Sequence, residues 1–234
     1  MTTTDFFEQL DTRIAKYDLL CHPFYKAWSA GQLTRDDLRD YALNYYHHVE
    51  AFPTYLAELG IRLEDGDLRR AVLANLSDEK GTEDLYGEPS RSHADLWLDF
   101  AEGMGSSRQR WGRAASIPEI DQLTRFFHYV ASQGGVEEAL AAFYAYESQV
   151  PRIATEKEHG LRRHYGANDK TCGYFTLHKT ADVYHSRVWR QQLGKRVEAS
   201  PHTAEKALDA AENAAKALWR AVDGIEQRRM AKAA

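Results

Sequence analysis

A chain of 234 residues has room for one large domain or two small ones, and a core of that size holds together without disulfides. Its two cysteines, Cys21 and Cys172, form no CxxC pair; they fit a reducing compartment and read as small buried or half-buried side chains. A net charge of −5 gives no electrostatic reason for nucleic-acid binding, and no apolar run is long enough to span a membrane. The amino terminus MTTTDFFEQLD lacks the basic and then apolar order of a signal peptide, so a cytoplasmic protein is expected.

Taken in chain order, the sequence reads as helices from end to end. The first, about Thr4 to Tyr17, puts Phe6, Leu10 and Ile14 on one face. A short helix follows from His22, with Pro23 tolerated in its first turn. Gly31 stops it, and Thr34 caps a long aromatic-rich helix expected to end near Pro53. A fourth runs from about Asp67 to Lys80, then GTEDLYGEPSRS reads as a loop before HADLWLDFAEGMG resumes the helical period. SIPEIDQLTRFFHYVASQ and a segment from Val136 to Tyr165 come next, separated by Gly134-Gly135, with a kink expected at Pro151. Another helix spans about Asp169 to Leu193. The last, from Thr203, carries a stripe of Ala204, Leu208, Ala211, Ala215, Leu218, Val222 and Ile225 that reads as core-facing. Nothing divides the chain, so one all-α bundle domain over residues 1–234, of about seven to nine helices, is expected.

The chemistry concentrates in FTLHKTADVYHSRVW. On a continuous helix His178, Asp182 and His185 fall within roughly 60° of one another. Three polar groups on one narrow face are costly to bury without partners; they read either as a satisfied polar cluster or as metal ligands. Further ligands would come from facing helices. Glu147, in the apolar run AAFYAYE, is a buried carboxylate in need of a cation, either a metal or Arg152. Glu79 and His93, taken alone, look like ordinary surface residues. His47, His48 and Glu50 form a rival cluster, but adjacent positions point in different directions, and a structural role is expected for them.

Six blocks, HPFYKAWSAGQLT, YYHHVEAFPTYL, NLSDE, HADLW, AFYAYESQVPRIATEK and YFTLHKTADVYH, occur in an order that resembles the family of the chlamydial protein associating with death domains. That family belongs to the heme-oxygenase-like diiron oxidases and is related in fold to TenA and PqqC. The resemblance implies a heme-oxygenase-like bundle and six metal ligands: Glu79, His93, Glu147, His178, Asp182 and His185. It implies two metal ions, iron–iron or iron–manganese, with dioxygen and an external reductant as co-substrates. It also implies synthesis of 4-aminobenzoate for folate from the protein's own Tyr25, with Tyr41 and Tyr146 nearby and Lys157 as amino donor. Chemically, an oxidant made at a reduced metal pair can take an electron and proton from a phenol, and a lysine buried in its neutral form is a nucleophile.

This chain departs from the chlamydial protein in carrying extra residues between Glu79 and His93, where Glu83 or Glu88 could compete for the metal. A homodimer is the expected assembly. Three other readings stand beside this one: an oxidase for an external small molecule, a non-enzymatic helical module, and TenA-type chemistry, which needs a nucleophilic cysteine. Tyr25, Tyr41 and Lys157 favour the self-processing enzyme.

Overall fold

The computed structural model describes residues 2–81, 90–107 and 116–233. Among these residues the chain forms eleven α-helices and no strand. They are α1 (Thr3–Ala15), α2 (Pro23–Ser29), α3 (Arg35–Gly60), α4 (Asp67–Lys80), α5 (His93–Gly103), α6 (Pro118–Ser132), α7 (Val136–Glu147), α8 (Val150–Tyr165), α9 (Asp169–His178), α10 (Ala181–Ala199) and α11 (Ala204–Ala233). The expected all-α architecture is present, with more and shorter helices than periodicity implied.

The centre of the bundle is α7, a helix apolar on nearly all sides and buried continuously from Ala139 to Glu147. Its alanines let α11 approach closely along its length, and α11 answers with Ala207, Ala211, Ala214, Ala215 and Ala221, all fully buried. The whole predicted stripe of α11 from Ala204 to Ile225 is buried there, as are Phe6, Leu10 and Ile14 of α1. α10 packs on another side of α7, while α3 gathers α4, α5 and α6, and α9 bridges α5 and α8.

Three helix boundaries differ from the sequence reading, each for a tertiary reason. α3 runs through Pro53 to Gly60 rather than stopping there. An interior proline costs about 3 kcal/mol, but Tyr55, Leu56 and Leu59 beyond it are fully buried. At roughly 1.5–3 kcal/mol per large apolar side chain, their burial outweighs the lost bond. The segment expected to kink at Pro151 is instead two helices, and Pro151 lies in the first turn of α8, where its missing N–H is not needed. The helix expected from Asp169 to Leu193 is likewise broken. Its first part ends at His178, Thr180 N–H bonds back to the Leu177 carbonyl, and α10 starts at Ala181.

Cys172 is buried as expected, but Cys21 is exposed in a 3₁₀ turn ahead of α2. His22 caps α2 by accepting the Phe24 N–H at Nδ1, so its Nε2 carries the proton donated to Asp223 of α11 at 3.0 Å. This tie sets the entry of the helix that carries Tyr25. The other face of α2 meets α8 at Gly160, where an added Cβ would lie 2.8 Å from Trp28 Cδ1. The same indole donates to the Lys157 carbonyl at 3.2 Å, so this contact fixes the spacing between α2 and Lys157. Gly160→Val is expected to destabilise the fold by about 1–3 kcal/mol through overpacking, read as a lowered thermal midpoint. An unchanged midpoint would show that α2 and α8 are not tightly apposed.

Candidate metal centre

Two groups of buried ligand-type side chains meet in the interior, and each break in the helices falls at one of them. Glu79 of α4, His93 of α5 and His178 of α9 form the first, with one ligand atom from each within 4.8 Å of the others. His93 Nδ1 lies 2.9 Å from Glu79 Oε2, and the two imidazoles stand 4.5 Å apart at 73°. His178 donates from Nδ1 to the Tyr174 carbonyl at 2.7 Å, which leaves Nε2 with a free lone pair.

Glu147 at the end of α7, with Asp182 and His185 of α10, forms the second group, again within 4.8 Å. His185 Nδ1 faces Asp182 at 3.4 Å and Glu147 at 3.6 Å, while Nε2 lies 3.2 Å from Asp78. Glu147 is gripped at both oxygens, by Asn75 Nδ2 at 3.0 Å and by the Trp189 indole N–H. All six residues are at most 5% exposed.

These residues suit a resident metal pair. His93 Nδ1 and His185 Nδ1 are buried, close to carboxylates, and make no well-aligned hydrogen bond. An orphaned buried nitrogen is expensive, and a cation shared with the adjacent carboxylates would satisfy it. Two imidazoles with one carboxylate, beside one imidazole with two, is a donor set for iron or manganese. Electrostatics agree. Burial pushes the Glu147 carboxyl up to about 8, against the pull of His185. Burial acts against charge on His185 too, but Asp182 and Glu147 outweigh it and lift the imidazolium to about 10.

A second cluster lies beside the first. Lys157 Nζ reaches Tyr25 OH at 3.0 Å and Tyr41 OH at 2.5 Å, and the two phenols are 3.1 Å apart. The amine sits 4.2 Å from the centre of the Tyr25 ring and 4.7 Å from that of Tyr41. Burial lowers the Lys157 amine well below its usual value and raises both phenols. In all three groups burial works against the charged form. A cavity of about 30 Å³ opens onto Lys157, Tyr25, Tyr45, Tyr146 and Tyr174. A smaller one, about 10 Å³, touches Glu79, Glu147, His178 and Asp182. Tyr146 and Tyr174 line both and form the wall between the candidate metal ligands and Lys157.

Every site residue named from the sequence is thus in one of these two clusters, but His178, Asp182 and His185 do not act as one face. The break after α9 sends His178 to Glu79 and His93. Arg152 pairs with Asp18 at 2.9 Å rather than with Glu147. His48 is fully buried among aromatic rings, whereas Glu50 is exposed, accepting from Tyr46. Glu83 and Glu88 lie outside the described residues. Sequence reasoning missed Asn75, Asp78, Trp189 and Tyr174. Asn75 precedes Asp78 by three residues and Glu79 by four, the spacing of one helix face, and Tyr174 precedes His178 by one turn. Those spacings were the available signals.

Residues 39–219 match the family of iron-containing redox enzymes. The chain belongs to that family. It is 36% identical to the 4-aminobenzoate synthase of Nitrosomonas europaea over 97% of this chain and 93% of that one. The 4-aminobenzoate synthase of Chlamydia trachomatis is 34% identical over 94% of this chain and 92% of its own length. A heme-oxygenase-like domain of unknown function from Shewanella denitrificans overlays with a TM-score of 0.80 at 16% identity, covering 98% and 94% of the two chains. The expected heme-oxygenase-like fold and the assignment as a metal-dependent oxidase stand.

Burial raises the Glu147 carboxyl, and at His185 the carboxylates of Asp182 and Glu147 outweigh burial to raise the imidazole, so protons compete with an ion for this group. An entering ion must displace them, so affinity should climb as pH rises from 6 to 8, by on the order of tenfold per displaced proton and pH unit. Mn(II) titrations at several pH values check this; a flat profile would mean the second group is not ligating. Glu147→Ala and His178→Ala should each lose one ion, and a different one.

Proposed function

We propose that this enzyme makes 4-aminobenzoate by an oxygen-dependent cleavage of its own Tyr25, with Lys157 supplying the amino group. The observation that carries the reading is the buried Lys157 amine held 3.0 Å from the Tyr25 hydroxyl, with no carboxylate partner among the described residues, where burial lowers its pKa and so favours the neutral form. The product differs from a tyrosine side chain in two places. Nitrogen replaces the phenolic oxygen, and the benzylic carbon becomes a carboxylate once the Cα–Cβ bond is broken. Lys157 stands at the first of these positions.

Glu79, His93 and His178 would hold one ion, and Glu147, Asp182 and His185 the other. When bound and reduced, such a pair supplies dioxygen activation, and an external reductant supplies the electrons. The chain's own residues do the rest. Tyr146 and Tyr174 separate the metal side from the lysine side. As a neutral amine, Lys157 has two N–H groups for the two phenols and keeps a lone pair for attack. What favours Tyr25 over Tyr41 is that Tyr25 lines the Lys157 cavity and Tyr41 does not.

Cavity size speaks against an external substrate. Small-molecule pockets run to roughly 300 Å³ or more, whereas the spaces touching these residues are about 30 and about 10 Å³. Larger hollows, such as one of about 280 Å³ between Asp37 and Arg228, open at the surface among other residues. The relatives named for 4-aminobenzoate synthesis support the product. Iron alone or iron with manganese, a homodimer, and delivery of the product to folate synthesis in the cytoplasm complete the proposal.

The test is a single-turnover experiment on protein reconstituted anaerobically with Fe(II), with or without Mn(II), then given reductant and dioxygen. At most one 4-aminobenzoate per chain should appear, together with a mass loss at the peptide holding Tyr25 and a second change at the peptide holding Lys157, whose Nζ has been given up. Tyr25→Phe and Lys157→Ala should give none while still binding metal. Repeated turnover with the Tyr25 peptide intact would mean an external substrate.

A further inference from the structure

α4 touches both ligand groups with one face. Glu79 belongs to the first group, Asn75 grips Glu147 of the second, and Asp78 bonds His185. Asp78 is unlike the others in being mostly exposed, with 57% of its side chain accessible. Its neighbour His185 is almost fully buried. The Asp78 carboxylate is therefore an anchor at the protein surface for a ring whose other nitrogen points inward.

A neutral imidazole carries its proton on one nitrogen, and the lone pair a metal needs is on the other. The two groups settle this choice in opposite ways. His178 gives its Nδ1 proton to a carbonyl of its own helix, that of Tyr174, and so presents Nε2. His185 has Nε2 against Asp78 and presents Nδ1 to Asp182 and Glu147. In the first case the orienting acceptor is backbone and comes with the helix. In the second it is a side chain from a different helix, and a single substitution can remove it.

We propose that Asp78 is a positioning residue that fixes the tautomer and ring orientation of His185, and thereby sets the affinity of the Glu147–Asp182–His185 position for its ion. The inference rests on the dimetal reading of the two groups. Without the Asp78 acceptor, the His185 proton is free to move to Nδ1, where it blocks the ligand lone pair, and the ring loses the bond that aims it. Outer-shell partners of this kind are worth about 10–100-fold in metal affinity. Asp78→Asn keeps an amide oxygen that accepts from Nε2–H, so it preserves the tautomer without the charge.

The experiment uses the full chain and Mn(II) alone, with free ion followed by electron paramagnetic resonance at one fixed pH. The parent should bind two ions. Asp78→Ala should weaken one of them by about 10–100-fold and leave the other unchanged, and Asp78→Asn should recover most of the loss. His185→Ala identifies the affected ion by abolishing the same one. Circular dichroism confirms that the variants fold, as an exposed position allows. Parent affinity for both ions in Asp78→Ala would overturn the proposal, as would equal weakening of both, which signals general damage to α4. A parent chain that binds fewer than two ions would sink the dimetal reading itself, and this proposal with it.

Discussion

The structure depends on how six ionisable side chains are kept inside a bundle built of alanine and aromatic rings. An isolated buried charge is prohibitive, and removing one member of a buried pair typically costs about 3–5 kcal/mol. Three imidazoles and three carboxylates meet this constraint by facing one another in two groups of three. Each group takes members from at least two helices, so the ends of α7 and α9 and the start of α10 must converge. That requirement explains why the chain breaks after Glu147 and after His178, where local propensity contains no glycine stop.

Lys157 is the opposite solution to the same problem. Among the described residues no carboxylate faces it; rings of Tyr25, Trp28, Tyr41, Tyr45 and Phe175 surround it within 6 Å of the amine. Burial without a facing carboxylate lowers the amine's pKa well below its usual value. The two clusters are separated by little more than Tyr146 and Tyr174, which line the cavities of both. Tyr174 also stacks on His178 with ring centres 3.9 Å apart. Two groups of candidate metal ligands, an aromatic wall and a buried amine are thereby built into one contiguous core.

α4 has a role out of proportion to its size. Asn75, Asp78 and Glu79 touch both ligand groups from a single helix face, so any shift of α4 is felt by both. The helix also packs on α3 and α10, the latter carrying Asp182 and His185. Alignment of the two positions is thus a matter of rigid helix packing rather than of loops, which suits a site that must hold a narrow geometry.

Amphipathic stripes were legible because burial follows the helical period. Phe6, Leu10 and Ile14, the α11 stripe and the bounds of α4 all appeared in the sequence. Caps were legible too: Thr34 accepts the Asp37 N–H at 3.1 Å, as its position before the helix implied. The six ligands and the Tyr25–Tyr41–Lys157 set could be named through resemblance, while residue pattern alone reached only Glu147, His178, Asp182 and His185. Tertiary structure decided the remainder. Nothing local separates His178 from Asp182, so their assignment to different groups awaited the packing of α9 against α5. Lys157, flanked by Glu156 and Glu158, carries the local signature of a solvated helix, and only the approach of α2 and α3 strips it of water. Local sequence determines which face of a helix turns inward; which buried groups then meet is set by contacts between residues far apart in the chain, where no period records them.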